Sequence, residues 1–237
     1  MKRFRTFLKE EADSVETYLA EFANAVSSTH RRIDDNGHTF FVPIDIDERK
    51  PKKMIAAALQ GDEPAGWLGL LKFVKENDPE NVNVSYLPIV SKEVFRSGKH
   101  EDNVGENPNN NIPESPSREM TRLLAIIDKW LPLARDGFVD LHEDPYRAVG
   151  YMYVWSDIGD LGDRMVNIIR DKFPLFDAPI HSASDGRIEV DEQGMLGDYL
   201  SKLNISPSMT TETPAGGEFP LDERVNVQVE LVKEFLK

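Results

Sequence analysis

Apolar and polar positions alternate along this chain with two periods, one near 3.6 residues and one near 2. Phe4, Phe7, Leu8, Val15, Leu19, Phe22 and Val26 recur at helical spacing, which predicts an amphipathic helix over residues 4–26. HTFFVPIDI, His38 to Ile46, reads as a strand, and the polar DERKPKK as a turn into a second strand, Met54 to Leu59. That MIAAAL run is apolar on both faces, the pattern of an interior strand covered on each side by helices. It ends at Gly61, and Pro64 fits the first turn of the next helix, in EPAGWLGLLKFVKEN.

A strand is predicted from Val82 to Val90, then an irregular polar stretch from Ser91 to Ser115. Unstructured loops of that length inside a compact domain are uncommon and often functional. A helix over Arg118 to Leu131 and a short buried strand over Phe138 to Leu141 follow. Tyr151 to Trp155 reads as a strand whose aromatic side lines a cleft or covers a sheet face, the latter preferred, and Leu161 to Lys172 as a helix. Residues 181–196 are polar, a loop or hairpin; Met209 to Thr213 is the last strand and Leu221 to Leu236 the closing helix. Trp67 and Trp130 sit beside leucines on helical faces and read as core. Strands alternating with helices predict a three-layer α/β/α sandwich with a largely parallel or mixed central sheet. If the first 50 residues pack on that sheet, Phe40 and Val42 are buried and 1–237 is a single domain.

The length of 237 residues permits a continuous core without staples. The formal charge of −14 makes phosphate backbones and anionic lipid poor partners, so neither nucleic acid nor membrane is expected. There is no cysteine, which removes disulfides, thiolate nucleophiles and cysteine-bound metals. MKRFRTFLKEEAD lacks the apolar stretch of a signal peptide, and no run approaches the roughly 20 residues of a membrane span, so a cytoplasmic location is expected. No G-x-S-x-G, P-loop or G-x-G-x-x-G occurs.

In open sheets of this kind, ligands bind beyond the carboxyl ends of the strands. Three predicted strand ends carry reactive residues: Gln60-Gly61-Asp62-Glu63, Asp140 to Asp144 around His142, and Thr211-Glu212-Thr213-Pro214. A catalytic zinc takes three ligands from histidine and carboxylate. Two positions three residues apart can share an ion across a tight turn while a third ligand arrives from another strand. Gln60, Glu63 and His142 have that arrangement, although an amide oxygen is a weaker zinc ligand than imidazole. Glu212 could then act as general base. The plainer alternative makes Glu63 a helix N-terminal acid, His142 a hydrogen-bonded strand-end histidine and Glu212 a surface acid. His30 and His38 have no assigned role.

The segments ALQGDEPAG, FRSGKHEDNVGENPNN, FVDLHED and TTETPAGGEFPLDERV, in this order from about Lys52 onward, resemble the M14 zinc carboxypeptidase superfamily. The likeness is to its short bacterial branch, near the succinylglutamate desuccinylase/aspartoacylase group. It implies a phosphorylase/hydrolase-like fold with a mixed sheet and a zinc-dependent amide or peptide hydrolase. The implied substrate is a small peptide or acylated amino acid. Glu63 matches the glutamate of the family's His-x-x-Glu, with Gln60 in place of its histidine. His142 matches the third ligand and Glu212 the general base. Across the intervening loop, His100 stands where an arginine polarises the scissile carbonyl. Asn109 is retained there, and Asn110 replaces the arginine that grips a terminal carboxylate. Asn cannot reproduce that bidentate ionic clamp. His100 could stabilise an oxyanion or swing in as a substitute metal ligand. His181 falls where the family's cleft is bordered. Two readings follow: a zinc-dependent hydrolase, or a catalytically silent descendant that binds a ligand or partner. Oligomeric state is not readable.

Overall fold

The computed structural model describes residues 15–156, 158–177, 183–189 and 194–237. Helix α1 is Val15–Val26; the predicted positions before it, and His181, lie outside the described residues. The strands are β1 His30–Asp35, β2 His38–Pro43, β3 Lys52–Ala57, β4 Asn83–Leu87, β5 Phe138–Asp144, β6 Tyr151–Val154, β7 Ala183–Ser184, β8 Arg187–Glu189 and β9 Ser208–Pro214. The remaining helices are α2 Pro64–Glu76, α3 Lys92–Ser97, α4 Arg118–Leu124, α5 Ile127–Trp130, α6 Gly159–Arg170, α7 Leu196–Lys202 and α8 Leu221–Phe235.

Among the described residues nine strands form one sheet in the order β1-β2-β4-β3-β5-β9-β6-β8-β7. The centre, β4-β3-β5-β9, is parallel, while β2 joins β4 and β6 joins β9 antiparallel. The sheet is mixed, as the pattern predicted. Alternate residues face two separate cores. One packs α1, α2, α6 and α8 against Ile55, Val139, Leu141 and Met209; the other packs α4, α5 and α7 against Met54, Ala56 and Phe138. The three-layer α/β/α arrangement follows directly. Phe40 and Val42 are buried, with Phe40 stacked on Trp130 at 3.8 Å between ring centroids. Tyr18 of α1 donates to the Trp67 carbonyl oxygen at 2.9 Å and packs edge-on against the Trp67 ring.

Three expectations need correction. The stretch from Ser91 holds a short helix, α3, started by Ser91, whose hydroxyl accepts from the Val94 N–H. The helix expected over Arg118 to Leu131 is broken into α4 and α5, followed by a 3-10 turn at Leu131–Leu133 that contains Pro132. HRRIDD, unassigned by periodicity, is the edge strand β1; its side chains stay half-buried or exposed, so it carries little apolar signal. Residues 183–189 do hold a hairpin, β7 with β8.

Candidate functional site

The carboxyl ends of β3, β5 and β9 point the same way, and the loop after β3 is folded back over them. It begins at Ala58, whose φ of +54° is a left-handed conformation costing a non-glycine residue ~1–2 kcal/mol. Two hydrogen bonds hold it there: Val90 N–H to the Ala57 carbonyl at 3.0 Å and Ser91 N–H to the Ala58 carbonyl at 3.2 Å. Gly61 then passes so near α3 that a Cβ would lie 1.9 Å from the Val94 carbonyl oxygen, so glycine is required. Gln60 and Glu63, on either side of this squeeze, are both buried. Glu63 immediately precedes α2, but its side chain does not cap that helix. Its carboxylate turns to the sheet instead.

The register fixes the rest. His142 on β5 is paired with Glu212 on β9, and Glu212 is paired on its other side with Tyr151 on β6. Glu63 Oε2 lies 2.8 Å from His142 Nδ1 and accepts from the Glu143 N–H at 3.1 Å. Glu63 Oε1 lies 3.5 Å from His100 Nδ1, which is also 3.2 Å from Asp62 Oδ1. His142 Nε2 is 3.0 Å from Asp140 Oδ2, close but without hydrogen-bond alignment. The seven residues singled out from the sequence, Gln60, Glu63, His100, Asn109, Asn110, His142 and Glu212, all line one cavity of about 220 Å³. The Asn109 amide oxygen is committed within the fold, accepting from the Leu196 N–H at 3.0 Å, whereas Asn110 is exposed at the rim.

Behind the cavity the sheet is pinned by paired polar groups. Glu143 accepts from the Ala65 N–H of α2 at 2.5 Å and pairs with Arg224 of α8. Gln228, also of α8, donates to the His142 carbonyl oxygen at 2.7 Å and to the Thr213 hydroxyl at 3.2 Å, and accepts from the Thr211 hydroxyl at 3.1 Å.

The electrostatics are those of crowded buried acids. Burial pushes the Glu63 carboxyl above its ordinary range, with His142 and then His100 pulling it back. Burial likewise drives Glu212 well above that range; His142 opposes this, and Glu63, Asp144 and Asp140 add to it. Glu143 is pushed up to about 7 by burial, against the pull of Arg224. Burial disfavours a charged His142, yet Asp140 and Glu63 raise its imidazole well above the usual value. A cation brought into such a cluster lowers the cost of ionising every carboxylate around it.

The donor atoms fit a divalent cation. Asp62, Glu63 and His100 place ligand atoms within 4.8 Å of one another, and His142 Nδ1 meets the same Glu63 carboxylate from the other side. Among the described residues, Gln60 Oε1 and Glu212 Oε2 are buried acceptors with no hydrogen-bond partner. Asp140 stands behind His142, its Oδ2 3.0 Å from Nε2.

Several lining residues were not found from the sequence. Asn107 lies inside the polar loop and carries no spacing signal; Asp144 lies in the recognised DLHED run but had no role assigned. Tyr151 and Tyr153 line the cavity, so of the two readings of this aromatic run the cleft holds for them and the preferred sheet face does not. Met152 and Val154, on the opposite side, enter the core. Tyr151 donates to Asp144 Oδ2 at 2.7 Å, and Arg147 donates to the same oxygen at 3.1 Å.

No protein-family model matches this sequence, and a comparison with curated proteins finds no relative. Solved structures do resemble it. A protein of Shewanella denitrificans, provisionally named a metallopeptidase, superposes with a TM-score of 0.86 at 22% identity over 95% of this chain and 90% of its own. A metallo-carboxypeptidase of Burkholderia cenocepacia gives 0.71 at 14% identity, over 94% of this chain and 68% of that one. A succinylglutamate desuccinylase of Silicibacter gives 0.57 at 17% identity, over 84% and 59%. Among the described residues no helix is long and apolar enough to cross a membrane. The mixed nine-stranded sheet, with acids and histidines gathered at its carboxyl edge, has the carboxypeptidase-like fold of the metallopeptidases it resembles.

Proposed function

We propose that this protein is a zinc-dependent amide hydrolase acting on a small peptide or acylated amino acid. The observation that carries the reading is the placement of Glu63 between two imidazoles, 2.8 Å from His142 and 3.5 Å from His100, on a cavity that Glu212 also lines. Glu63, His142 and Gln60 would hold the metal. Bound there, zinc would supply Lewis acidity toward a substrate carbonyl.

The remaining work falls to the chain's own side chains. Glu212 Oε2, buried and unpartnered, takes the proton of an attacking water and returns it to the leaving nitrogen. His100, on the cavity wall, steadies the Glu63 carboxylate from 3.5 Å through its Nδ1. Tyr151 and Tyr153 exclude water on the far side. Arg147 reaches the neighbourhood already paired with Asp144, and Asn110 offers no charge, so ordinary recognition of a free terminal carboxylate is not supported. An internal amide or an acyl group suits the cavity better.

Glu212→Gln tests this reading directly. In a screen of N-acyl amino acids and short peptides with zinc supplied, the variant should fold, bind zinc and lose activity by about 10²–10⁴-fold. Full activity in Glu212→Gln would remove the base from the scheme. The alternative is a silent binding protein, favoured by one feature: His142 Nδ1 already lies 2.8 Å from the Glu63 carboxylate as an internal ion pair that needs no metal. Failure of the purified chain to take up zinc would decide for it.

A further inference from the structure

Resting on that metal-site reading, we propose that Asn107 is a positioning residue that selects the donor atoms. It turns Gln60 into an oxygen ligand and holds His100 out of the ligand set.

One amide in the loop over the cavity cannot reverse. The Asn109 backbone N–H donates to Asn107 Oδ1 at 2.8 Å, which fixes the direction of the Asn107 amide. The same oxygen accepts from Gln60 Nε2 at 3.0 Å. Gln60 therefore spends its amide nitrogen on Asn107, and its Oε1 is left buried and without a partner on the cavity wall. In the other direction, Asn107 Nδ2 lies 3.1 Å from His100 Nε2. An amide nitrogen only donates, so His100 Nε2 accepts and carries no proton. The neutral ring then carries its proton on Nδ1, the atom facing Asp62 Oδ1 and Glu63 Oε1. A protonated nitrogen donates to carboxylates and does not bind a metal.

One asparagine thus gives two neighbours opposite parts. The ligands become Gln60 Oε1, Glu63 and His142 Nδ1, while His100 supports Glu63 as a hydrogen-bond donor. With a single imidazole, this set is harder than one of two histidines and a carboxylate, and it narrows the preference for zinc over manganese.

Zinc and manganese affinities, measured by competition with a chromogenic chelator, test the assignment. Gln60→Ala and Asn107→Ala should each weaken zinc binding by about 10–100-fold, and His100→Ala by less than about tenfold. Asn107→Asp, whose carboxylate still accepts from both N–H groups, should bind zinc no more weakly than wild type. Gln60→His should widen the zinc-over-manganese ratio. Independently of any metal, ring-nitrogen shifts of His100 in ¹⁵N-labelled protein in alkaline buffer should report a protonated Nδ1 and a bare Nε2. The reverse tautomer overturns the proposal. So does zinc binding retained in Gln60→Ala and Asn107→Ala but lost in His100→Ala, which would hand the ligand role to His100. A wild-type chain that binds neither ion overturns this inference and the hydrolase reading together. Thermal melts confirm that each variant is folded.

Discussion

At Gly61 a single hydrogen atom decides whether the site can assemble. The missing side chain lets the loop after β3 slide under the Val94 carbonyl, with Gln60 on one side and Glu63 on the other. Gly61→Ala should cost about 1–3 kcal/mol in urea unfolding, as overpacking of a filled position does. It should also displace Glu63 and weaken zinc binding. An alanine variant as stable as wild type would show that α3 yields. The residues of this site were unevenly legible. Glu63, His142 and Glu212 stand out because each sits at a predicted strand end in a short recognisable motif. Asn107 acts only through Gln60 and His100, neighbours brought to it by a loop, and no spacing announces that. Asp140 is two residues from His142 and so points to the same side of β5, a relation visible in the sequence once the strand is known to run as far as Asp144.

Among the elements, the central strands and α2, α6 and α8 follow from periodicity alone, because their burial is one-sided or complete. α3 and α7, six and seven residues long, are too short to carry a periodic signal. What holds β5 and β9 in step is side-chain chemistry from a helix. Gln228 bonds to the His142 carbonyl and to the hydroxyls of Thr211 and Thr213, all on the face of the sheet opposite the cavity. Side chains alternate with a period of two, so a slip of one residue in β9 would exchange Glu212 for a threonine at the site. Gln228→Leu leaves those buried groups unpaired and should destabilise the protein by about 1–3 kcal/mol in equilibrium unfolding. It should reduce activity more than Gln228→Glu does. An unchanged midpoint in the leucine variant would mean that backbone pairing alone sets the register.

For the molecule as a whole, the protonation of its histidines shapes stability in opposing ways. Burial lowers His30 and His38 below the ordinary value of 6.5, outweighing the carbonyl acceptors of Val84 and Glu119. Below about pH 6.5 the unfolded chain binds protons that these two rings refuse in the folded state. Their contribution is therefore complete above that pH and declines as pH falls toward their lowered values. His142 is raised and acts with the opposite sign, contributing stability at low pH that is lost as pH rises through its folded value. Glu63, Glu143 and Glu212, raised like His142, act in its sense, so the variant isolates one ring: from pH 8 to pH 5 the denaturant midpoint of His38→Gln should shift upward relative to that of wild type. A pH dependence identical in the two proteins would show that His38 takes up protons alike in the folded and unfolded chains. His38 joins β2 to α4 through the Glu119 carbonyl, so the acid limb also reports whether the first hairpin unfolds with the rest. That hairpin ends the sheet in β1, where Arg31, Arg32, Asp34 and Asp35 leave charge along the outermost backbone. A second chain approaching this rim to extend the sheet would have to strip water from four ionic groups before gaining a hydrogen bond. The same polarity that hid β1 from a reading of hydrophobic periods makes this rim of the sheet a costly place for another strand to add.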